Sequence, residues 1–512
     1  MRKLLLATVA GLGAWGAVAN EASAQMGQPI TPNYTGGASS PAATAPTPGT
    51  VVVRLNGRVR FYAFGVWDKD SENNAAGTPT GLVNAAGLGT ATGGNKLANY
   101  GFAEYARLYP GFDGIAANGL KYGASIEIRQ DQSSGAGGGM FGSISTQNRA
   151  RSALYFRRIW GYLGTNEIGT FRFGSIDQPS SLYMTGNFEN FNDGGWNGDV
   201  PALIAGNNQV TWPFADVGSY YTTNKIVYLS PQFFGFDGGI SFEPSTANVN
   251  ANSNCGAGSP VGTNFINPSG NFTTAAGANG TGAASAGCDR LSSSPVNAES
   301  ARRRNTFDVL VRYRGTFGPV GVAATGGYIG GGHVLDNSGL PFNNNPLISV
   351  TNAVGTTTGV RSNFEGLSVG DFGAQVTYAG FSIGGKYQFG RFNGQWQPLP
   401  KGLPDSQAWL VGGSYTIGPM IVGASYLNFQ SAGDVANAFF GRLRTEQGFA
   451  AGGTYSLAPG VSIFLSYLWG QRKQNGFNFN TGQGVSATSP QGNPFSNKMT
   501  SNLISLGTAF SW

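Results

Sequence analysis

Charged side chains are scarce in this sequence. Lys, Arg, Asp and Glu together make up 11% of its 512 residues, whereas in soluble proteins they usually make up about a quarter. So little charge is not typical of a surface that faces water on all sides. The balance is mildly basic, with 31 Lys and Arg against 25 Asp and Glu. Because these residues form no basic tract and no nucleic-acid-binding motif is present, we expect no nucleic-acid partner.

Histidine is nearly absent as well. The only one is His333, in a glycine-rich stretch, so a Ser/His pair, an imidazole metal cluster or a histidine general base lacks its partners. Gly137-x-Gly139-x-x-Gly142 matches a dinucleotide fingerprint by its letters, but no helix is predicted to follow it. We therefore expect no enzymatic activity: no catalytic residue, no metal site and no cofactor.

Long hydrophobic runs are missing after the N-terminus. No later segment approaches the ~20 continuous apolar residues of a membrane-spanning helix. At the N-terminus, Arg2 and Lys3 precede an apolar stretch, and an A-x-A cleavage pattern ends at Ala24. Residues 1–24 are therefore predicted to be a signal peptide rather than a retained anchor. Residues 25–50, rich in Pro, Thr, Ala and Gly, have the composition of a linker.

Cysteine occurs only twice, at Cys255 and Cys288. Both lie in one long segment between predicted strands, and an exported chain matures in an oxidising compartment. A disulfide between them is the prediction, and two free thiols are the alternative.

What the sequence has in abundance is a period of two. In its first strand, polar and apolar side chains alternate, and the last strand places its large apolar residues on one face. The polar face of the first strand carries Arg54, Asn56, Arg58, Arg60 and Tyr62, and the apolar face of the last carries Ile504, Leu506, Phe510 and Trp512. A charge on a lipid-facing position costs ~2–4 kcal/mol near the membrane midplane. The polar faces are therefore expected to point into a wet interior and the apolar faces to meet lipid.

This pattern predicts sixteen strands with alternately long and short connections. They are placed at 51–67, 98–112, 120–130, 149–164, 170–175, 224–230, 235–244, 304–314, 320–330, 368–378, 381–390, 406–417, 420–430, 445–457, 461–472 and 500–512. A soluble β-sandwich or propeller has no reason to alternate its loop lengths, whereas a membrane barrel has short periplasmic turns and long outer loops. We predict an all-β fold, a 16-stranded antiparallel transmembrane β-barrel over residues 51–512.

Three stretches resemble the general diffusion porins of Gram-negative bacteria, in the manner of alphaproteobacterial members. They are Arg54 to Phe61, the glycine-bounded hairpin from Gly161 to Gly174, and Tyr228 to Pro231 followed by Phe234 to Phe236. At the C-terminus, Ser505-x-Gly507-x-x-Phe510-x-Trp512 resembles the terminal assembly signal of Gram-negative outer-membrane barrels. The resemblance extends over nearly the whole mature chain. It implies an outer-membrane location, contact with outer-membrane lipid and lipopolysaccharide, and a homotrimer. It also implies that Gly507, Phe510 and Trp512 form a signal read by the barrel-assembly machinery.

The same resemblance implies that the third long loop, about 176–223, folds into the barrel and narrows it. The acidic side of this constriction is assigned to Glu189, Asp193 and Asp199. The basic wall is assigned to Arg54, Arg58, Arg60, Arg107, Arg129, Arg151 and Arg172. At the narrowest point, Glu189 and Asp193 are expected to face Arg58, Arg60, Arg107 and Arg151. Opposed charges across a narrow waist orient water and dipolar solutes. The alternative for each acid is a solvated loop tip or a salt bridge that merely fastens the loop.

Sixteen strands enclose more space than side chains fill. The predicted function is therefore a water-filled channel for passive diffusion of small hydrophilic solutes and ions, and the basic balance favours anions. A substrate-specific channel for sugars or organic acids and an adhesive or structural barrel are the alternatives.

Overall fold

The structure is a computed structural model, and it describes most of the chain outside the long loops. Its described residues are 46–68, 99–131, 155–188, 190–204, 209–214, 223–244, 303–333, 365–394, 396, 399, 403–433, 443–474 and 498–512, with three short strand pairs between 265 and 484. The predicted signal peptide and most of the predicted linker lie outside these residues, as do Cys255 and Cys288. Those predictions stay predictions.

Sixteen strands form one closed barrel. They are β1 Thr50–Asp68, β2 Tyr100–Ile115, β3 Lys121–Asp131, β4 Tyr155–Thr165, β5 Gly169–Ile176, β6 Thr223–Leu229, β7 Phe236–Glu243, β8 Arg303–Phe317, β9 Val320–His333, β10 Leu367–Tyr378, β11 Phe381–Arg391, β12 Ser406–Ile417, β13 Met420–Ser431, β14 Arg444–Ala458, β15 Val461–Lys473 and β16 Lys498–Ser511. The predicted fold class and strand number are confirmed.

Each strand pairs antiparallel with the next, and β16 closes the ring on β1. The closing register runs from Arg58 opposite Ser511 to Asp68 opposite Ser501. Connections alternate between short turns, such as 418–419, and long loops, such as the one between β7 and β8. Because the ring is closed, no strand of the barrel keeps a free edge. The described residues include no helix long and apolar enough to cross a membrane.

The two faces of the wall differ as the period of two predicts. Val53 and Leu55 on β1 are 79% and 64% exposed on the outside, whereas Arg54 and Arg58 between and beside them are 7% and 5% exposed. The other strands repeat this arrangement, with Phe, Ile, Val and Leu exposed outside and charged residues buried inside. The inner side is therefore where the chemistry of this chain lies.

Two places depart from the alternation of polar inner and apolar outer side chains: the consecutive arginines of β4, and Glu104 on β2. In the pairing of β3 with β4, Glu127 is opposite Arg158 and Ile128 is opposite Phe156, so Arg157 is the extra residue of a β-bulge. Because of the bulge, the consecutive residues Arg157 and Arg158 both point into the barrel and pair with Glu127. On β2, by contrast, Glu104 is exposed on the outer face while Arg107 is buried on the inner one.

Candidate functional site

The loop between β5 and β6 runs inside the barrel along its inner wall. Its first part holds a short helix, Pro179–Leu182, and Ser180 donates from its backbone N–H to Asp308 on β8 at 2.8 Å. Farther on, the Asn190 amide donates to Ser414 on β12 at 2.9 Å. Thr454 on β14 donates its hydroxyl to the backbone carbonyl of Asn192 at 3.1 Å. The predicted inward-folded third loop thus spans the lumen from β5 to the far wall.

The loop tip is held together by two side-chain acceptors. The Asn192 amide oxygen accepts the N–H groups of Gly194 and Gly195, each at 2.9 Å. One carboxylate oxygen of Asp193 accepts the N–H groups of Asp199 and Val200, also at 2.9 Å. These bonds close the segment 193–200 into a compact unit, which includes the 3₁₀ turn Gly195–Asn197 and leads into a second one, Val200–Leu203.

This tip presents two carboxylates to the arginines of β1 and β2. Asp199 contacts Arg107 closely through one oxygen and lies 3.5 Å from Arg60 and 3.8 Å from Arg58 through the other. Asp193 lies 3.9 Å from Arg60. Two of the three predicted acids therefore face three of the seven predicted arginines.

An aromatic side chain lies at the centre of these arginines. The guanidinium carbons of Arg107, Arg58 and Arg60 lie 4.5, 5.6 and 5.7 Å from the centroid of the Tyr105 ring. Such cation–π contacts hold guanidinium groups in place without neutralising them. The period of two puts Tyr105 on the inner face with Arg107, but nothing in the sequence marks it as their common neighbour.

The two acids differ in how firmly they hold their charge. Burial raises the pKa of the Asp193 carboxyl to about 6, against the opposing effect of Arg60. Burial disfavours the charged form of Asp199 as well, but Arg107, Arg58 and Arg60 outweigh it and hold the pKa of Asp199 well below its usual range. At neutral pH both carboxylates are charged, and Asp199 stays so in mild acid.

A second charged cluster lies on the neighbouring strands. Glu127 on β3 accepts from Arg158 at 2.6 Å and from Arg157 at 3.2 Å, and it contacts Arg129 closely. Arg158 also reaches Asp177, at 2.8 Å. None of these residues except Arg129 is a predicted site residue. The adjacent pair of arginines in an alternating strand was the signal for the bulge that assembles the cluster.

The remaining predicted basic residues lie on the same wall but away from the tip. Arg54 pairs with Asp113 at 2.5 Å, and Arg172 lies 4.9 Å from the Trp160 ring centroid. Glu189 and Arg151 lie outside the described residues. In the predicted assembly signal, Trp512 exchanges two backbone hydrogen bonds with Gly57, both 3.1 Å.

Taken together, the inner wall formed by β1 to β5 and the loop is more basic than acidic. Its described arginines are Arg54, Arg58, Arg60, Arg107, Arg129, Arg157, Arg158 and Arg172, and its described carboxylates are Asp113, Glu127, Asp177, Asp193 and Asp199. The described part of this wall therefore carries eight guanidinium groups against five carboxylates. Within the part of the chain that the structure describes, no three His, Cys, Asp or Glu side chains are grouped so as to hold a metal ion.

The chain is similar to several known proteins. A family model described as Gram-negative porin matches residues 14–475. No curated protein matches the chain. Among solved structures, the chain is similar to an anion-selective porin from Comamonas acidovorans, at 15% identity and a TM-score of 0.45, covering 90% of this chain and 100% of that one. It is also similar to OmpT of Vibrio cholerae, at 14% identity and a TM-score of 0.46, covering 92% and 100%.

Proposed function

Because the chain belongs to the Gram-negative porin family, and so forms an outer-membrane channel for passive diffusion, we propose that its lumen favours small hydrophilic anions. The observation that carries this proposal is the excess of arginine over carboxylate on the inner wall formed by β1 to β5 and the loop. Solutes pass by diffusion, and the chain does not change them chemically. In a water-filled barrel of this size, the width and charge of the narrowest part determine how fast a solute passes.

The proposed waist is the part of the lumen beside the loop tip, which contacts the arginine wall through the ion pairs of Asp199. Asp193 and Asp199 form its acidic side, and Arg58, Arg60 and Arg107 form its basic side. The fixed charges of these ion pairs orient the water next to them, so an apolar solute that enters must displace ordered water. Glu189 and Arg151 are proposed members of the two sides on sequence grounds alone.

Anion preference follows from the excess of positive over negative side chains along the inner wall. Asp199 offsets part of the field of the three arginines that it faces, and Asp193 offsets part of the field of Arg60. The arginines farther along the wall add to that field. Anions therefore find a lower electrostatic barrier than cations of the same size, while uncharged solutes are selected by size.

The test is the reversal potential across a planar bilayer with a salt gradient. The wild-type channel should prefer the anion, and Asp199→Asn should increase that preference because three arginines lose a shared counter-charge. Asp113→Asn is the matched control: it removes a carboxylate that pairs with Arg54 away from the tip, so its shift should be smaller. Cation preference in the wild type contradicts the anion proposal, and an unchanged reversal potential in Asp199→Asn contradicts the proposed waist.

The homotrimer implied by the family resemblance is also proposed. The outer face of β2 supports it, since Glu104 is exposed there with Phe102 and Phe61 beside it. A carboxylate on that face is better accommodated against another subunit than against lipid tails. Light scattering of detergent-purified protein should give three chains per particle, and a monomer would contradict the proposal. Assembly by the barrel-assembly machinery, contact with lipopolysaccharide and removal of residues 1–24 belong to the same proposal.

A further inference from the structure

Trp196 lies at the centre of the loop tip, between Asp193 and Asp199 in the chain. Its side chain is 4% exposed and packs against the inner wall at β14 and β15. The indole N–H donates to the backbone carbonyl of Phe449 on β14 at 3.2 Å. A tryptophan buried in this way holds the backbone that carries it, because a large rigid ring has few alternative positions.

The wall beneath the indole consists of two glycines that are directly opposite each other. Gly448 on β14 and Gly470 on β15 are register partners. A Cβ at Gly448 would come within 2.6 Å of the indole nitrogen, and a Cβ at Gly470 within 2.7 Å of the six-membered ring. No side chain larger than hydrogen fits at either position while the ring is in place.

The depression is local to these two positions. The inward positions next to them along the strands carry Glu446 and Ala450 on β14, and Leu468 and Arg472 on β15, all buried. Glycine inside a strand weakens it and commonly marks a place where another part of the chain approaches closely. The glycine pair thus provides a recess that matches the indole ring.

The returning half of the loop covers the ring from another side. A Cβ at Gly470 would also come within 2.6 Å of the Val210 side chain. The next residue, Thr211, donates its N–H to Glu446 at 2.6 Å, and Glu446 is paired with Arg472 at 3.1 Å. Trp196 is therefore enclosed between the barrel wall and its own loop.

From this geometry we propose that Trp196 is the anchor of the constriction, a positioning residue that sets where the two acids stand. Asp193 and Asp199 are each three residues from it. The backbone N–H groups of Asp199 and Val200 donate to the Asp193 carboxylate and so join the acids into one unit. Fixing the indole in the Gly448–Gly470 recess fixes the distance between the acids and the arginines of β1 and β2. The position of the indole then determines the width of the waist and the electric field across it. This inference rests on the proposed waist.

The first experiment fills the recess. In Gly448→Leu the added side chain occupies the place of the indole, and the barrel backbone does not yield, so the tip moves into the lumen and single-channel conductance falls. Gly326→Leu is the control for placing a leucine at a strand glycine. Gly326 lies on the outer face of β9 with the exposed Phe372 and Val311 as register partners, and an added Cβ there meets only the Phe372 ring at 3.6 Å. This variant should conduct like the wild type. The heat-dependent shift in gel mobility reports whether each variant is folded.

The second experiment removes the anchor and then restores the fit. Trp196→Ala frees the tip, so open-channel current noise increases and the reversal potential shifts toward anions as the acids leave the arginines. In Trp196→Ala combined with Gly448→Leu, the leucine fills the space that the indole vacated. The conductance should therefore rise from the low value of Gly448→Leu alone toward the wild-type value. If Gly448→Leu does not fold, Gly448→Ala replaces it with the same expected direction.

Either of two results overturns the anchor. One is wild-type conductance in folded Gly448→Leu, and the other is wild-type noise and reversal potential in Trp196→Ala. Asp199→Asn separates this failure from failure of the proposed waist. If Asp199→Asn changes selectivity and the Trp196 variant does not, the waist stands and the anchor is wrong; if Asp199→Asn changes nothing, the waist itself is wrong.

Discussion

Arg312 and Asp237 form an ion pair in which neither side chain is exposed. They are register partners on β8 and β7, and two hydrogen bonds join them, from Nε at 2.8 Å and from Nη2 at 2.6 Å. The guanidinium carbon also lies 4.0 Å from the centroid of the Tyr183 ring, which belongs to the first part of the inward loop. This pair therefore supports both the barrel wall and the start of the loop.

Breaking this pair should destabilise the barrel strongly. Asp237→Asn leaves the Arg312 charge buried without its counter-charge, and removing one partner of a buried pair typically costs about 3–5 kcal/mol. The free energy of unfolding in urea, measured in detergent micelles or lipid vesicles, should fall by that amount. A fall of less than about 1 kcal/mol, the range of an exposed pair, would show that the lumen solvates Arg312.

An exposed ion pair of the same barrel is the control. Arg391 and Glu365 are 3.7 Å apart with side chains 48% and 28% exposed. Because solvent screens such a pair, Glu365→Gln should change the free energy of unfolding by at most about 1 kcal/mol.

The selectivity of the channel should depend on pH through Asp193. The raised pKa of about 6 means that this carboxyl gains a proton as the pH falls through 6, while Asp199, whose pKa is held low, keeps its charge. Loss of one negative charge at the tip increases the effect of the arginines, so anion preference should rise below pH 6. Reversal potentials recorded between pH 4.5 and pH 8 check this, and Asp193→Asn should show no such step.

The same titration has a consequence for stability. An ordinary aspartate in the unfolded chain titrates near ~3.9, so between about pH 4 and pH 6 the folded chain binds this proton more tightly. Stability contributed by this group is therefore present below pH 4 and is lost as the pH rises to 6. A wild-type barrel whose stability rises through that window relative to Asp193→Asn would contradict the assignment.

The barrel could be predicted from the sequence because each strand has one lipid face and one lumen face. The alternation of Val53, Arg54 and Leu55 indicates which side chains face lipid and which face the lumen. Glycine- and proline-rich turns mark where strands end. The boundaries were less certain: β2 continues to Ile115 and β8 to Phe317, beyond the predicted ends at 112 and 314. The turns there are shorter than their composition indicated, because turn-forming residues also fit at the ends of strands.

The site was only partly within reach of the sequence. Which arginines meet the loop depends on the stagger between strands. The sequence predicts that Glu189 and Asp193 face Arg58, Arg60, Arg107 and Arg151. In the structure it is Asp199 that contacts Arg58, Arg60 and Arg107, while Asp193 lies near Arg60. Likewise, Trp196 and Gly448 are 252 positions apart in numbering, and only the closed barrel brings them together. A glycine in a Gly-rich chain gives no sign that a particular ring rests on it.

The disulfide between Cys255 and Cys288 stays a prediction from the sequence, because both residues lie outside the described ones. Closing the segment between them would reduce the conformational freedom of that loop by ~3–4 kcal/mol in the chain-entropy model. Thiol labelling of the denatured, unreduced protein should modify neither cysteine, and labelling after reduction should modify both. Labelling of both residues without reduction would establish two free thiols instead.

Removal of the last three residues should prevent the barrel from closing. Trp512 makes two backbone hydrogen bonds with Gly57, and the Phe510 ring packs edge-on against Phe61 at 6.4 Å. Deleting Phe510 to Trp512 takes away these contacts at the end of β16 and leaves part of β1 unpaired, which is a costly edge in a membrane. We expect little or no heat-modifiable protein in the outer-membrane fraction.

The control is Ile504→Ala, which shortens an exposed side chain farther from the C-terminus on the same strand. This variant should assemble normally. Wild-type amounts of folded barrel from the deletion variant would show that closure does not need the terminal residues, because the pairs from Asp68 with Ser501 to Arg60 with Ala509 would then suffice.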